Sequence, residues 1–185
     1  MNSQTLPEAR LAELPGIARK ALESWYASGR IRLPAGITPS LPPRGAFVTL
    51  LDARGQLRGC IGHILPTRAH LEEEVAECAV LAATQDPRFP PVTEAELGAL
   101  TIEVSVLSPP EAIPGPDMLD PARYGVIVRS GSRQGVLLPA LDGVNTVDQQ
   151  LAIVRQKAGI APWEPVELFR FTATKIRENT REGRT

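Results

Sequence analysis

The sequence predicts an α+β protein with a mainly antiparallel sheet and flanking helices. Two observations carry this prediction. Short β-rich segments follow one another in hairpin-like pairs, and the helical segments are grouped irregularly among them. The strict strand–helix alternation that is typical of a parallel sheet is absent. The chain has 185 residues, which is enough for one domain with a hydrophobic core of its own.

The first predicted helix follows Thr5-Leu6-Pro7-Glu8, a sequence with capping-box spacing. Apolar residues recur at helical spacing as far as Ser28, with a kink or interruption at Pro15 and a stop at Gly29. Residues 30–44 are rich in proline and predict a connection without regular structure.

A β-hairpin is predicted next. Residues 45–52 and Leu57–Gly62 are β-rich, and the turn sequence Asp52-Ala53-Arg54-Gly55 joins them. Thr67 is then expected to cap a helix over residues 68–84, in which apolar side chains recur every three or four positions.

The later part of the chain contains strands and helices in irregular order. The predicted elements are a short helix after Thr93, strands over 100–107, 124–129 and 135–139, a helix over 147–158 that stops at Gly159, and a strand over 166–175. Alternation in the strand over 100–107 places Glu103 and Ser105 on one face and the apolar residues on the other.

The charge balance and the cysteine count limit the functional classes. A formal net charge of −1 and an aromatic content of 4% argue against general nucleic-acid binding and against an anionic-membrane surface. Cys60 and Cys78 are the only cysteines, so a disulfide framework of the secreted type is not expected. The sequence shows no signal-peptide pattern and no apolar run of membrane-spanning length, which predicts a cytoplasmic protein.

The segment Leu57–Gly62 is the strongest candidate for a functional site. Gly59 and Gly62 flank Cys60, and glycine inside a strand usually marks a bulge or a close approach of backbone or ligand. Alternation places Arg58, Cys60 and Gly62 on one face. We therefore expect the two glycines to leave room for a ligand or a partner beside the thiol.

The same segment carries a resemblance to a known family. Its hexapeptide Leu-Arg-Gly-Cys-Ile-Gly is the hallmark of that family. The other matching segments, in family order, are Phe47–Leu50, Asp86–Pro91, Ile102–Leu107, Leu137–Pro139 and Lys157–Gly159. The chain thus resembles the AMMECR domain family, whose bacterial and archaeal members form the AmmeMemoRadiSam system protein A group. The resemblance covers about residues 10–178.

The resemblance implies one AMMECR-type domain over residues 1–185, with flexible ends at 1–6 and 179–185. It implies an α+β fold of a larger and a smaller subdomain with a cleft between them. In prokaryotes it also implies association with a Memo-type protein and a radical-SAM protein. It supplies no settled reaction.

Three residues are candidates for catalysis. Cys60 is the candidate nucleophile or covalent carrier, because Arg58 on the same face and an imidazolium at His63 would favour its thiolate. His63 approaches Cys60 as a base if the chain bends after Gly62. Glu103 is a candidate carboxylate if its strand neighbours the hairpin. The structural alternatives are a buried apolar thiol, a loop histidine and an ion pair on a solvated sheet face.

Two arginines are candidates for holding a small anionic ligand. Arg58 lies on the strand of the thiol, and Arg88 lies in the loop Asp86–Pro91, which three prolines stiffen. Ser105 shares a strand face with Glu103, whose carboxylate is expected to meet one of these arginines. The structural alternative is an arginine that ties the loop to the sheet through backbone carbonyls.

Neither a metal site nor a cofactor is predicted. The spacing of Cys60, His63, His70 and Cys78 fits no structural zinc pattern, and Cys78 belongs to the apolar face of a predicted helix. The chain also lacks Cys-x-x-x-Cys-x-x-Cys, so it is not itself a radical-SAM enzyme.

These observations leave three functional classes. The first is an enzyme or enzyme subunit with an activated Cys60. The second is a non-catalytic adaptor that presents Leu57–Gly62 to a protein partner. The third is a nucleic-acid-binding regulator, against which the charge balance argues.

Overall fold

The computed structural model describes residues 6–33 and 35–178. The predicted flexible ends, residues 1–6 and 179–185, lie outside the described residues except for Leu6, which packs against the core. No helix in this described part of the chain is long and apolar enough to cross a membrane.

Four α-helices and eight strands form the regular structure of the described residues. The α-helices are α1 (Glu8–Ala12), α2 (Leu14–Ser28), α3 (Leu71–Thr84) and α4 (Val147–Ala158). The strands are β1 (Ala46–Leu51), β2 (Leu57–His63), β3 (Thr101–Leu107), β4 (Glu111–Ile113), β5 (Gly125–Ser130), β6 (Arg133–Leu137), β7 (Glu167–Phe171) and β8 (Ala173–Arg177). Short 3₁₀ helices span Glu94–Ala99 and Pro116–Met118.

The chain divides into two compact units, each with its own sheet. The first contains the described residues of Met1–Val106 and Thr174–Thr185, and the second contains Leu107–Ala173. The four-stranded sheet of the first unit has the order β2-β1-β3-β8, and that of the second has the order β4-β7-β5-β6. The paired strands are antiparallel, which confirms the predicted α+β fold. The cleft that the resemblance implies stays a prediction.

In the first unit, helices cover one face of the sheet. Side chains alternate along β1, so Val48 and Leu50 point toward α3, where they are fully buried against Leu71 and Val75. Helix α2 packs on α3 in turn. The opposite face of this sheet, which we call the outer face, carries Phe47, Thr49, Cys60, Glu103, Ser105 and Lys175.

In the second unit, α4 packs against β5 and β6. A Cβ at Gly135 would lie 2.4 Å from the carbonyl oxygen of Val154, so glycine on β6 lets the helix approach closely. The capping box at Thr146 and the left-handed Gly159 (φ 64°) end α4 at the predicted residues.

The start of α3 differs from the prediction. The helix begins at Leu71, with His70 rather than Thr67 at its N-cap. The backbone N–H groups of Thr67 and Arg68 donate instead to the carboxylate of Glu74, which holds this segment outside the helix.

The predicted final strand is two strands in different sheets. The chain leaves β7 at Thr172, whose N–H donates to the Ser108 hydroxyl, and then continues as β8. The prediction also placed the first helical break at Pro15. The chain turns at Glu13 and Pro15 lies in the first turn of α2, where its missing N–H costs no hydrogen bond. Strand β4 was not predicted.

Candidate functional site

The two glycines of the hexapeptide are required by packing within the first unit. A Cβ at Gly59 would lie 2.2 Å from the carbonyl oxygen of Ala82 on α3. A Cβ at Gly62 would lie 2.2 Å from the carbonyl oxygen of Ala46 and 2.4 Å from the ring of Phe47. The prediction that these glycines open space for a ligand is therefore wrong, because neighbouring backbone and the ring of Phe47 fill that space.

Cys60 lies on the outer face opposite Thr49 of β1. The Thr49 hydroxyl donates a hydrogen bond to the Cys60 sulfur at 3.3 Å. The Cys60 side chain is half-buried, and neither cysteine is in a disulfide. This bond fixes the direction of the thiol on the sheet.

The backbone of Cys60 is held from the loop Asp86–Pro91. The Asp86 carboxylate accepts the Cys60 N–H at 2.8 Å, and the Arg88 guanidinium donates to the Cys60 carbonyl at 3.4 Å. Arg88 also donates twice to Asp86, at 2.9 and 2.7 Å. These hydrogen bonds from Arg88, together with the N–H of Cys60, hold the pKa of the buried Asp86 well below its usual range. We call Asp86 and Arg88 the strand clamp.

Arg58 anchors the loop that carries the strand clamp. Its guanidinium donates to the Pro90 and Pro91 carbonyls at 2.8 and 3.3 Å and to the Glu96 carboxylate at 2.8 and 3.2 Å. The hydrogen bond from Arg58 is the main cause that lowers the pKa of Glu96 to about 2. Arg58 thus plays the loop-tying role that the sequence offered as an alternative for Arg88.

His63 lies away from the Cys60 thiol. It is paired with Ala46, whose buried side chain faces α3, whereas Cys60 is paired with outward-facing Thr49. His63 is three positions after Cys60, so the two residues are about 10 Å apart along β2 and their side chains lie on opposite faces. The predicted approach of His63 to Cys60 is not present, because β2 continues through His63 without a bend.

His63 instead joins two residues of α3. Its Nδ1 lies 2.6 Å from Oε1 of Glu74 and 3.8 Å from the sulfur of Cys78. Cys78 is fully buried, and burial, with the nearby carboxylates of Glu74 and Glu77, raises the pKa of its thiol to about 12. We call His63, Glu74 and Cys78 the inner cluster.

Glu103 and Ser105 lie on the outer face as predicted. Glu103 is paired with Thr49, which is paired with Cys60, so these three residues form one row across three strands. The nearest basic groups to the Glu103 carboxylate are those of Lys175 at 3.8 Å and of the β8 arginine, Arg177, at 4.0 Å. The predicted meeting of Glu103 with Arg58 or Arg88 is therefore wrong. Ser105 is buried opposite Phe47.

Sequence reasoning missed several residues that organise the two sites. These are Thr49, Glu74, Asp86 and Glu96. Signals existed for two of them. Glu74 stands one helical turn before Cys78 on a buried helix, and Asp86 stands two residues before an arginine in the family segment. Neither signal identifies the residue that the carboxylate binds, because these residues, His63 and Cys60, lie on a different element, β2.

Comparison with known proteins agrees with this architecture. The AMMECR1 family model matches residues 15–176. A protein of Thermotoga maritima is 46% identical over 164 residues, which cover 86% of this chain and 94% of that protein. A protein of Methanosarcina acetivorans is 38% identical over 182 residues, which cover 90% of each chain.

A solved structure shares the fold. The crystal structure of an uncharacterized protein from Pyrococcus horikoshii superposes with a TM-score of 0.77 at 36% identity, covering 89% of each chain. The family match spans nearly all the described residues, including the hexapeptide strand, the strand clamp and the inner cluster. On this evidence the chain belongs to the AMMECR1 family.

Proposed function

We propose that this protein is an enzyme or an enzyme subunit in which the Cys60 thiol is the nucleophile or the covalent carrier. The observation that carries the proposal is the strand clamp. Both backbone polar groups of Cys60 are bound by side chains from a distant loop, and the thiol is bound by Thr49. Such support is typical of a side chain whose position matters for chemistry.

The position of Cys60 at a sheet edge explains what the clamp does. β2 is an edge strand. In an antiparallel pair of strands, one pair of opposite residues exchanges hydrogen bonds through its N–H and C=O groups, and the next pair points these groups away from the partner strand. Cys60 directs these groups away from β1, toward Asp86 and Arg88. An open edge would accept another strand. The clamp closes the edge at Cys60 and leaves the side chain as the feature available for function.

The outer face supplies further groups for a reaction at the thiol. Glu103 lies in the row of Cys60 and Thr49, and we propose it as the acid or base of that row. Arg88 is 54% exposed, and its remaining donors favour a small anionic ligand beside the thiol. Ser105 adds a hydroxyl two residues along β3 from Glu103. We place the protein in the reducing cytoplasm, where both thiols stay free.

We also propose two partner proteins. The resemblance to the AMMECR domain family implies association with a Memo-type protein and a radical-SAM protein, and we propose that both act with this chain. The partner proteins would then supply the chemistry that this chain's own residues do not, while Cys60 carries or receives the transferred group.

The rate of thiol alkylation tests the proposal. Purified protein is treated with iodoacetamide at neutral pH, and labelling of Cys60 and Cys78 is followed separately by peptide mass spectrometry. We expect Cys60 to react faster than a free model thiol, and Cys78 to react only after unfolding because it is fully buried. Iodoacetate, which is an anion, serves as a second probe. If the Arg88 guanidinium guides anionic reagents to the thiol, Arg88→Gln should slow the reaction of Cys60 with iodoacetate.

One outcome would assign Cys60 to packing. If its labelling also required denaturant, the thiol would be a structural residue and the enzyme proposal would fail. Arg54→Gln, which removes the same charge at an exposed position elsewhere in the hairpin, is the control for Arg88→Gln.

A second candidate function is an adaptor without catalysis. Two large apolar side chains near the ends of the hexapeptide favour it, since Leu57 is 39% and Leu65 is 55% exposed. In that case Leu65→Asp should abolish binding of a purified Memo-type protein, and alkylation of Cys60, which adds bulk within the presented strand, should weaken it. Binding that is unchanged by both would argue against the adaptor function.

A further inference from the structure

A second group of reactive side chains lies on the inner side of β2, apart from the Cys60 thiol. Nδ1 of His63, a carboxylate oxygen of Glu74 and the sulfur of Cys78 all lie within 4.8 Å of one another. Imidazole, carboxylate and thiolate are the three side-chain ligands that zinc takes in proteins. We propose that the inner cluster binds a zinc ion.

The burial of Glu74 supports a cation at this place. Its side chain is fully buried, and it accepts hydrogen bonds from the Thr67 and Arg68 N–H groups at 2.7 and 2.9 Å. Within residues 6–33 and 35–178, no lysine or arginine side chain pairs with it. Buried carboxylates are normally paired with a cation or bound to a metal. The Thr67 hydroxyl also donates to this carboxylate, but among the described residues its one basic neighbour is the imidazole of His63.

The distances within the cluster are close to those of a tetrahedral zinc site. Such a site separates nitrogen from oxygen by roughly 3.3 Å and sulfur from either by roughly 3.6 Å. The sulfur lies 3.8 Å from Nδ1 of His63 and 3.9 Å from the Glu74 oxygen, and Nδ1 lies 2.6 Å from that oxygen. An ion would replace the His63–Glu74 hydrogen bond, and the two atoms would part by about 0.7 Å.

The surroundings allow that movement and give the ion a route of entry. Glu74 and Cys78 stand one turn apart on the buried side of α3, which holds them rigidly. His63 is the ligand with room to shift, because it is the last residue of β2 and its side chain is 32% exposed. Three protein ligands would leave the fourth position of zinc for water, as in catalytic zinc sites.

The ligand set also selects the metal. A thiolate and an imidazole favour zinc over magnesium or calcium, which prefer oxygen ligands. On binding, the Cys78 S–H bond breaks, a sulfur–zinc bond forms and the proton passes to solvent. One thiolate, one carboxylate and a neutral imidazole would then balance the two positive charges of the ion, so the buried site would carry no net charge.

Metal titration tests this site independently of Cys60 chemistry. Protein freed of metal with a chelator is titrated with Zn²⁺ by calorimetry, and with Co²⁺ as a spectroscopic probe. We expect one ion per chain, release of a proton, a cobalt–sulfur charge-transfer band, and a rise in the unfolding temperature with added Zn²⁺.

Two variants and one matched control assign the ligands. Cys78→Ser should remove the cobalt–sulfur band, and His63→Gln should weaken Zn²⁺ binding by more than the about 10–100-fold typical for losing an outer-shell partner. Cys60→Ser, a thiol removed from the same strand as His63, should change neither. Because His63 is partly exposed, His63→Gln keeps the test valid if Cys78→Ser fails to fold.

Three results would overturn the proposal. They are no Zn²⁺ binding by the wild-type protein, a cobalt–sulfur band that persists in Cys78→Ser, and a band that disappears in Cys60→Ser. The last result would place the metal on the outer face with the other thiol.

Discussion

The carboxylate of Asp86 accepts the backbone N–H of Cys60 at 2.8 Å, although the two residues are 26 positions apart in the sequence. Asp86 is almost fully buried, and its other partners are donors of Arg88. The buried carboxylate of Asp86 thus links the loop Asp86–Pro91 to the hexapeptide on β2.

Asp86→Asn should weaken the fold measurably. The amide keeps an acceptor for the Cys60 N–H but loses the charge that Arg88 requires, so we expect a loss of about 1–3 kcal/mol in the free energy of unfolding. Urea unfolding measures this loss. Asp142→Asn, at an exposed loop residue, should stay within about 0.5 kcal/mol of wild type. Equal effects of the two changes would mean that the strand clamp contributes no stability.

Acid should weaken the fold through the same loop. Asp86 and Glu96 have a lowered pKa in the folded protein, so each binds its proton more readily when unfolded. Their stabilising contribution is complete above the unfolded values of about 3.9 and 4.3 and is lost as the pH falls through them. For Glu96 the loss is complete near its folded pKa of about 2.

The pH dependence of the free energy of unfolding measures this effect. Glu96→Gln removes one of the two titrating groups, so its stability should fall less than that of wild type between about pH 5 and pH 2.5. Curves of equal steepness would mean that Arg58 does not stabilise the ionised form of Glu96.

Local sequence patterns predicted the parts of the fold that depend on local contacts. Helix α4 has its predicted bounds because its caps are local: Thr146 bonds to Gln149, and the N–H of Gly159 bonds to the carbonyls of Arg155 and Gln156. The outer position of Glu103 follows likewise from strand alternation. The break at Thr172 within the last predicted strand could not be found this way, because Thr172 bonds to Ser108, 64 positions earlier.

The candidate site could be predicted only in part. The hexapeptide identified Cys60. The short spacing from Cys60 to His63 suggested that the two side chains meet, but alternation along a strand places residues three positions apart on opposite faces. The true partner of each residue, Asp86 for Cys60 and Glu74 for His63, comes from another element. Side chains that meet across a fold leave no fixed spacing in the sequence, so these contacts required the structure.

Gly59→Ala should disturb the packing of β2 on α3. The added Cβ would lie 2.2 Å from the carbonyl oxygen of Ala82, which is backbone and cannot move aside alone. We expect a loss of about 1–3 kcal/mol or more in the free energy of unfolding, as for other overpacked sites. Gly98→Ala is the matched control, since a Cβ added there would meet no neighbouring group within 4 Å. A neutral Gly59→Ala would contradict the packing role of this glycine.

Arg58→Lys should loosen the strand clamp while keeping the charge on β2. The guanidinium of Arg58 bonds two proline carbonyls and the Glu96 carboxylate at once, and an ammonium group cannot reproduce that fork. The loop that carries Asp86 should then open more often, so the Cys60 amide, which depends on Asp86, should exchange its hydrogen faster. Hydrogen–deuterium exchange with peptide-level mass spectrometry measures this rate. Arg54→Lys, in the exposed turn of the same hairpin, should leave the exchange unchanged. If Arg58→Lys also left it unchanged, the loop would hold its place without Arg58, and the three prolines of Asp86–Pro91 would be sufficient to position the clamp.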